Sequence, residues 1–250
     1  MLMADTRRAK AMHSMQEKIP LVLLPGSLCD ETMWEAQAKA LSGIAHVQII
    51  ETANAETIEE MAEHVLHHAC AKRFALAGFS LGGFIAFEAY RQAPERISHL
   101  ALLDTTARPD HPDNRSRRLA NIESFATKPS TVLDAFVDLT KGSRTPVHVA
   151  NHVKQTMYKL GPSLYMAQQR AMLYRPDARP MLASIRCPTL VLCGAEDRAT
   201  PPEVNQEIAT NIPGAKYVEL EGVGHMTPME APRLVNEALS NLLMNSATNP

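Results

Sequence analysis

The 250-residue sequence predicts a doubly wound α/β fold with a mostly parallel sheet of about six strands and a helical cap insertion. Short apolar segments of strand length alternate with longer segments whose apolar residues recur at helical spacing. The strand segments are apolar along most of their length, as is typical of a parallel sheet that helices cover on both faces. The rhythm stops at residue 108 and resumes near residue 185, which indicates an insertion.

The strands are predicted from runs rich in apolar and β-branched residues. These runs are Pro20–Leu24, His46–Ile50, Phe74–Phe79, His99–Asp104, Thr189–Cys193 and Lys216–Leu220. Helices are predicted between the early strands because apolar residues recur there every three or four positions. These helices are Thr32–Leu41, Thr57–Ala71 and Leu81–Arg91.

The insertion has no strand-like run, and prolines recur along it. Each proline should end a helix, because it lacks the amide hydrogen that a helix interior needs. The expected helices are Arg115–Phe125, Thr131–Lys141, Val147–Leu160 and Ser163–Tyr174. We therefore expect a flexible N-terminal tail at 1–18, one core domain formed by 19–107 and 185–246, and a helical cap at 108–184.

Charge and cysteine content exclude several classes of protein. Lysine and arginine number 25 and aspartate and glutamate 27, a net charge of −2, so neither nucleic acid nor an anionic membrane is an expected partner. Cys187 and Cys193 bracket a predicted strand and would lie roughly 20 Å apart, too far for a disulfide. With no signal-peptide pattern and no apolar run of spanning length, we expect reduced thiols and a cytoplasmic location.

The segment Gly78-Phe79-Ser80-Leu81-Gly82 has the pattern Gly-x-Ser-x-Gly where the third predicted strand meets the following helix. Small residues are needed on both sides of Ser80, because strand and helix pass closely at a sharp turn. The helix N-terminus adds free N–H groups and the positive end of its dipole beside the hydroxyl. In this context the motif predicts a nucleophile elbow rather than a glycine-rich turn with an incidental serine.

A serine nucleophile needs a general base and a third group that orients the base. Asp197 follows the fifth predicted strand and His225 follows the sixth. Because parallel strands end at one edge of the sheet, we expect Ser80, Asp197 and His225 to meet there as a catalytic triad. Asp104 also ends a strand and is the alternative acid.

Two segments beside these residues, Thr200–Glu203 and Thr227–Glu230, have a threonine followed three residues later by glutamate. This is the capping-box pattern, in which the two side chains satisfy free N–H groups at a helix start. We therefore expect each threonine to cap the helix that follows it.

These motifs resemble the α/β-hydrolase superfamily from Ile19 to Leu243. The segments that carry the likeness are Leu23–Ser27, Gly78–Gly83, Gly194–Asp197 and Gly224-His225. The resemblance implies an oxyanion hole formed by the backbone N–H groups of Ser27 and Leu81, and it favours Asp197 over Asp104 as the acid. The sequence departs from the family at Pro25, where a histidine is common, and residues 1–18 are too few to supply the family's first two strands.

The resemblance also implies that the cap roofs the active site and shapes the substrate pocket. Methionine and tyrosine are concentrated between Met157 and Tyr174. They suit a pliable apolar pocket, but packing of the cap onto the core is the simpler role, and we favour it. The substrate-binding candidates are Leu28, Met157, Tyr158, Met166 and Met226.

Three polar groups on predicted helices remain: the pairs His64/His68 and His148/His152, and the cluster Arg115, Arg117 and Arg118. Each histidine pair is spaced for a metal, but no third ligand is indicated, so we predict no metal site. The arginines fit either an anionic substrate or acyl-carrier protein, or a solvated helix face, and we favour the solvated face.

The sequence as a whole predicts a serine hydrolase that cleaves a carboxylic ester or lactone of a small to medium organic acid. No metal or organic cofactor is expected, and a homodimer is an open alternative to a monomer. Two other functions remain open on the same fold: hydrolysis of a carbon–carbon bond in a vinylogous diketone, and ligand binding without catalysis as in a receptor. A cofactor-free haloperoxidase or perhydrolase side activity is a further alternative.

Overall fold

The computed structural model describes residues 18–244. Its strands are β1 (Ile19–Leu24), β2 (Ala45–Ile49), β3 (Phe74–Phe79), β4 (Ile97–Leu103), β5 (Thr189–Gly194) and β6 (Lys216–Leu220). All strand pairs are parallel, in the order β2-β1-β3-β4-β5-β6. The predicted fold class, a parallel sheet of about six strands, is therefore confirmed.

The α-helices are α1 (Glu35–Leu41), α2 (Ile58–His68), α3 (Leu81–Gln92), α4 (Pro112–Thr127), α5 (Pro129–Thr140), α6 (Val147–Leu173), α7 (Pro202–Asn211), α8 (Thr227–Glu230) and α9 (Pro232–Met244). Short 3₁₀ turns occupy Glu31–Trp34, Pro94–Arg96 and Arg179–Ser184. The break predicted within α6 is present, because Gly161 leaves helical geometry with φ 79° and Pro162 follows it.

Alternate residues of each strand pack against opposite helical layers, as the period of a strand requires. In β1, Leu21 and Leu23 belong to the apolar layer that includes α1 and α9, whereas Val22 and Leu24 belong to the layer that includes α2, α3 and α7. A side chain such as Leu23, which is 0% exposed, contributes about 2 kcal/mol by its burial. The sheet is thus covered on both faces.

The direction in which the chain adds strands to the sheet reverses at β1. From β1 the chain first adds β2 on one side, and it then crosses to add β3 on the other. The loops after β1 and β3 therefore diverge at the carboxyl edge of the sheet and leave a crevice, the position where open α/β sheets bind ligands.

Between β4 and β5 the chain forms α4, α5 and α6, which pack on one another and add no strand to the sheet. No helix between residues 18 and 244 has the length and hydropathy needed to cross a bilayer. The four cysteines are free thiols. Of the predicted tail, 1–17 lies outside the described residues, as do the last two residues of the predicted core, 245–246.

Candidate active site

Ser80 lies in a strained turn between β3 and α3. Its backbone has φ 52° and ψ −111°, a conformation that non-glycine residues rarely adopt. The turn is tight, since a Cβ on Gly78 would overlap the backbone of Gly82, and one on Gly82 would overlap the backbone of Leu24. Leu81 is the first residue of α3, so its N–H has no acceptor within the helix and is free to face a ligand.

His225 connects Ser80 to Asp197 by hydrogen bonds. His225 Nε2 lies 3.0 Å from Ser80 Oγ, and His225 Nδ1 lies 2.7 Å from Asp197 Oδ2. A carboxylate only accepts hydrogen bonds, so Nδ1 carries the proton and Nε2 is left to accept from the serine hydroxyl. His225 and Asp197 are both 2% exposed, whereas Ser80 is half-buried and the most accessible of the three.

The Asp197 carboxylate is held by four donors. Oδ1 accepts from the N–H groups of Ala199, at 2.8 Å, and Thr200, at 3.0 Å, while Oδ2 accepts from the Thr200 hydroxyl at 2.8 Å and from His225. Burial opposes ionisation of Asp197, but attraction to His225 and these hydrogen bonds outweigh it and lower the pKa of the carboxyl. The predicted cap at Thr200 was wrong, because this carboxylate takes its hydroxyl and Pro201 occupies the N-cap of α7.

Hydrogen bonds hold the backbone of the loop at His225 and at the residue on each side of it. The N–H of His225 donates to Thr140 O, at the end of α5, at 2.7 Å. The Glu230 carboxylate accepts from the N–H groups of Gly224, at 3.0 Å, and Met226, at 2.9 Å. The sequence indicated Glu230 only as part of a capping box; its carboxylate in fact accepts from the N–H groups on either side of His225, four and six positions earlier in the chain.

Asp104 is the second buried acid at this edge of the sheet. Its carboxylate accepts from Gly194 N at 3.0 Å and from the Thr227 hydroxyl. The prediction that Thr227 caps α8 is therefore wrong, and Met226 occupies the N-cap. Burial, followed by the negative charge of Asp197, raises the pKa of Asp104 well above its usual value. One potential ligand atom from each of Asp104, Asp197 and His225 lies within 4.8 Å of the others, but protein donors already occupy both carboxylates.

The loop after β1 runs beside Ser80. A Cβ on Gly26 would lie 3.4 Å from Ser80 Cβ and closer still to the Phe79 ring. Ser27 Oγ and Leu28 N both donate to Gln168 Oε1 at 2.9 Å, and Leu28 has φ 52°. Gln168 comes from α6, and nothing in the sequence separates it from other helical glutamines.

The substrate-binding candidates occupy different environments. Leu28, Met157 and Met226 are buried in one apolar cluster, which also contains the stacked rings of Phe125 and Tyr165 with centroids 4.2 Å apart. The two other candidates lie nearer the surface: Met166 is half-buried and Tyr158 is 46% exposed. The apolar side of the cap thus meets the residues that flank Ser80 and His225.

Most of the remaining polar candidates have structural partners. His152 Nε2 bonds to Thr32 Oγ1 at 2.8 Å, His148 is exposed, and His68 Nδ1 bonds to His64 O at 2.8 Å. The Arg118 guanidinium contacts both oxygens of Asp110, at 3.0 and 3.2 Å. Among the three arginines, therefore, Arg118 holds the cap together, while Arg115 lies over the exposed ring of Tyr174.

Comparison with known proteins finds a matching family and several similar proteins. A sequence model described as the alpha/beta hydrolase family matches residues 21–238. A Mycobacterium tuberculosis protein, provisionally named a non-heme bromoperoxidase, is 30% identical over 176 residues, which cover 66% of this chain and only 65% of the relative.

Two solved structures are similar over nearly their whole length. A thermophilic esterase from Thermogutta terrifontis has a TM-score of 0.84 and 30% identity, with 92% of this chain and 91% of the esterase covered. An enol-lactonase from Burkholderia xenovorans LB400 has a TM-score of 0.82 and 25% identity, with 93% and 94% covered.

Proposed function

The chain belongs to the alpha/beta hydrolase family, and from that premise we propose that it is a serine hydrolase that cleaves carboxylic esters or lactones of small to medium organic acids. The observation that carries the proposal is the aligned pair of hydrogen bonds from Ser80 Oγ to His225 Nε2 and from His225 Nδ1 to Asp197 Oδ2. A hydroxyl, a base and an orienting carboxylate in this order are what acyl transfer through serine requires.

In the proposed reaction, Ser80 Oγ attacks the substrate carbonyl while His225 Nε2 takes the hydroxyl proton. Asp197 holds the imidazole in the competent tautomer and stabilises the imidazolium that forms. The N–H groups of Ser27 and Leu81 stabilise the tetrahedral oxyanion, each by about 3 kcal/mol. The imidazolium then protonates the leaving alkoxide, which departs as an alcohol.

The acyl group is left on Ser80. A water molecule attacks this ester, with His225 again taking a proton, and the acid is released as the serine hydroxyl re-forms. When the substrate is a lactone, the alcohol and the acid leave as one hydroxy acid.

The apolar side chains of Leu28, Met157 and Met226 support an acyl group of apolar character. The similarity to an esterase and to an enol-lactonase supports oxygen esters, open or cyclic, as the bond cleaved. The substrate is then a small molecule. The cytoplasmic location and the homodimer stay predictions.

The proposal is tested with a fluorophosphonate probe and a substrate panel. We expect the probe to label the wild type and the control Ser42→Ala, whose exposed hydroxyl donates to Lys39 O. Ser80→Ala should lose both labelling and turnover of p-nitrophenyl acetate. Persistent turnover by Ser80→Ala would show that the nucleophile assignment is wrong.

The panel separates the other functions. Esters, lactones and vinylogous diketones are compared, and each ester is repeated with hydrogen peroxide to detect a peracid product. Labelling without turnover of any substrate would favour a ligand-binding protein, and turnover of diketones alone would favour a carbon–carbon hydrolase.

A further inference from the structure

Gln168 is a fully buried amide that joins the cap to the core. It belongs to α6 and is 0% exposed, yet its side chain contacts two core loops. Oε1 accepts from Ser27 Oγ and from Leu28 N, both at 2.9 Å, and Nε2 donates to Thr52 Oγ1 at 2.8 Å. A backbone N–H can only donate, so the amide atom that faces Leu28 N must be the oxygen. The orientation of the amide follows from its partners.

The two bonds to Oε1 act on the segment Gly26–Cys29, here called the oxyanion loop. Leu28 has φ 52°, which is unfavourable for a residue with a Cβ and persists where surrounding contacts enforce it. The bond from Leu28 N holds the peptide group that joins Ser27 to Leu28. The bond from Ser27 Oγ holds Ser27 through its side chain as well. Leu28 N is thereby engaged and takes no part in binding an oxyanion.

The oxyanion loop packs closely on the residues that carry the nucleophile: a Cβ on Gly26 would lie 2.7 Å from the Phe79 ring and at contact distance, 3.4 Å, from Ser80 Cβ. Displacements on the order of 1 Å can lower the rate of an enzyme about 100-fold when they misplace a group that acts in the transition state. The Ser27 N–H would stabilise an oxyanion that forms only in the transition state, so a contact that fixes this loop should affect kcat more than KM.

We propose that Gln168 is a positioning residue that holds the oxyanion loop against Ser80, so that a docked cap is required for a competent oxyanion hole. This inference rests on the proposed function. Gln168 itself does not touch the reacting atoms. It acts through Ser27 and Leu28, so the position of the Ser27 N–H depends on how α6 packs against the core.

The primary test is Gln168→Leu, which is similar in shape but leaves Leu28 N without its acceptor. Loss of a whole oxyanion donor lowers kcat by about 10² to 10³, so a misplaced donor should lower it by roughly 10- to 100-fold. KM for p-nitrophenyl acetate should stay within about threefold. The inhibition constant of a trifluoromethyl ketone, which forms a tetrahedral adduct, should rise by the same factor as kcat/KM falls.

The control is Gln169→Leu, at the next residue of the same helix. Gln169 is also buried, but its Oε1 accepts from Arg118 within the cap, at 2.6 Å, and not from the oxyanion loop. We expect kcat of this variant to stay near that of the wild type. Equal losses in both variants, or a rise in KM with unchanged kcat in Gln168→Leu, would overturn the inference.

Gln168→Glu keeps the proposal testable if the leucine variant does not fold. The protonated carboxyl can accept from the oxyanion loop and donate to Thr52, but its ionised form places a negative charge beside the developing oxyanion. kcat should therefore fall as pH rises through the pKa of the introduced carboxyl, an ionisation that the wild-type profile lacks. Superimposable pH profiles would contradict a role at the oxyanion loop.

Ser80→Ala is assayed in parallel to separate the two proposals. If Ser80→Ala keeps its turnover, the proposed function fails. If Ser80→Ala is inactive while Gln168→Leu has wild-type kinetics and inhibition, the proposed function stands and only the role of Gln168 is wrong.

Discussion

Two buried aspartates lie beside His225, and exchanging each for asparagine distinguishes their roles. In Asp197→Asn, the amide oxygen must stay where Oδ1 accepts from the N–H groups of Ala199 and Thr200. The new NH₂ group then faces His225 Nδ1, which has to become an acceptor. The ring proton moves to Nε2, and the imidazole can no longer take the proton of Ser80.

The expected cost follows from this tautomer. An imidazole held in the wrong tautomer lowers kcat by about 10⁴-fold, or about 5.5 kcal/mol in the activation free energy. Asp104→Asn should behave differently, because burial and the charge of Asp197 raise the pKa of Asp104 and favour its neutral form. Asparagine keeps an acceptor for Gly194 N without adding charge, so we expect kcat/KM within about fivefold of the wild type.

The assay is hydrolysis of p-nitrophenyl acetate by both variants and the wild type across the neutral pH range, with circular dichroism and thermal unfolding to verify the fold. The reverse ranking, with Asp104→Asn the more damaged, would refute the assignment of Asp197 as the orienting acid. Equal losses would refute the division of roles between the two carboxyls.

Three further predictions concern stability. The lowered pKa of Asp197 stabilises the fold above the pKa of the unfolded aspartate, about 4, and this contribution is lost as pH falls; Tm of Asp197→Asn should therefore fall less than that of the wild type between pH 5 and pH 3. Glu230→Ala leaves two N–H groups beside the histidine without their acceptor, and urea denaturation should show a loss of about 2–3 kcal/mol; an unchanged midpoint would contradict this role. Gly78→Ala should lose roughly 1–3 kcal/mol or more because its Cβ would overlap backbone, whereas Gly43→Ala, with nothing within 4 Å, should stay within about 0.5 kcal/mol; equal losses would refute the packing argument.

The sheet and the meeting of Ser80, Asp197 and His225 were accessible from the sequence because both depend on local pattern. Apolar runs mark strands that helices cover, and parallel strands end at one edge, so residues that follow three strands converge there. The glycines around Ser80 mark the sharp turn in the sequence, because the close passage of β3 and α3 leaves no room for a Cβ at Gly78.

The contacts that support the site could not be read in this way. Thr200 and Thr227 have capping-box spacing, yet their hydroxyls bond to the carboxylates of Asp197 and Asp104, which the fold brings within reach. Gln168 meets Ser27 from 141 positions along the chain. The Thr227 and Gln168 pairings depend on how distant segments pack together, and helical periodicity carries no signal for them.

The central claim is that Ser80 becomes acylated during turnover, and acid-quench mass spectrometry tests it directly. The wild type is mixed with p-nitrophenyl acetate, quenched within the first turnovers and digested with trypsin. Cleavage after Arg73 and Arg91 releases Phe74–Arg91, a peptide in which Ser80 is the single serine. We predict one acetyl group on Ser80 that decays as acetate is released. Steady turnover with this peptide unmodified at every quench time, or with acetyl on another residue, would contradict the account.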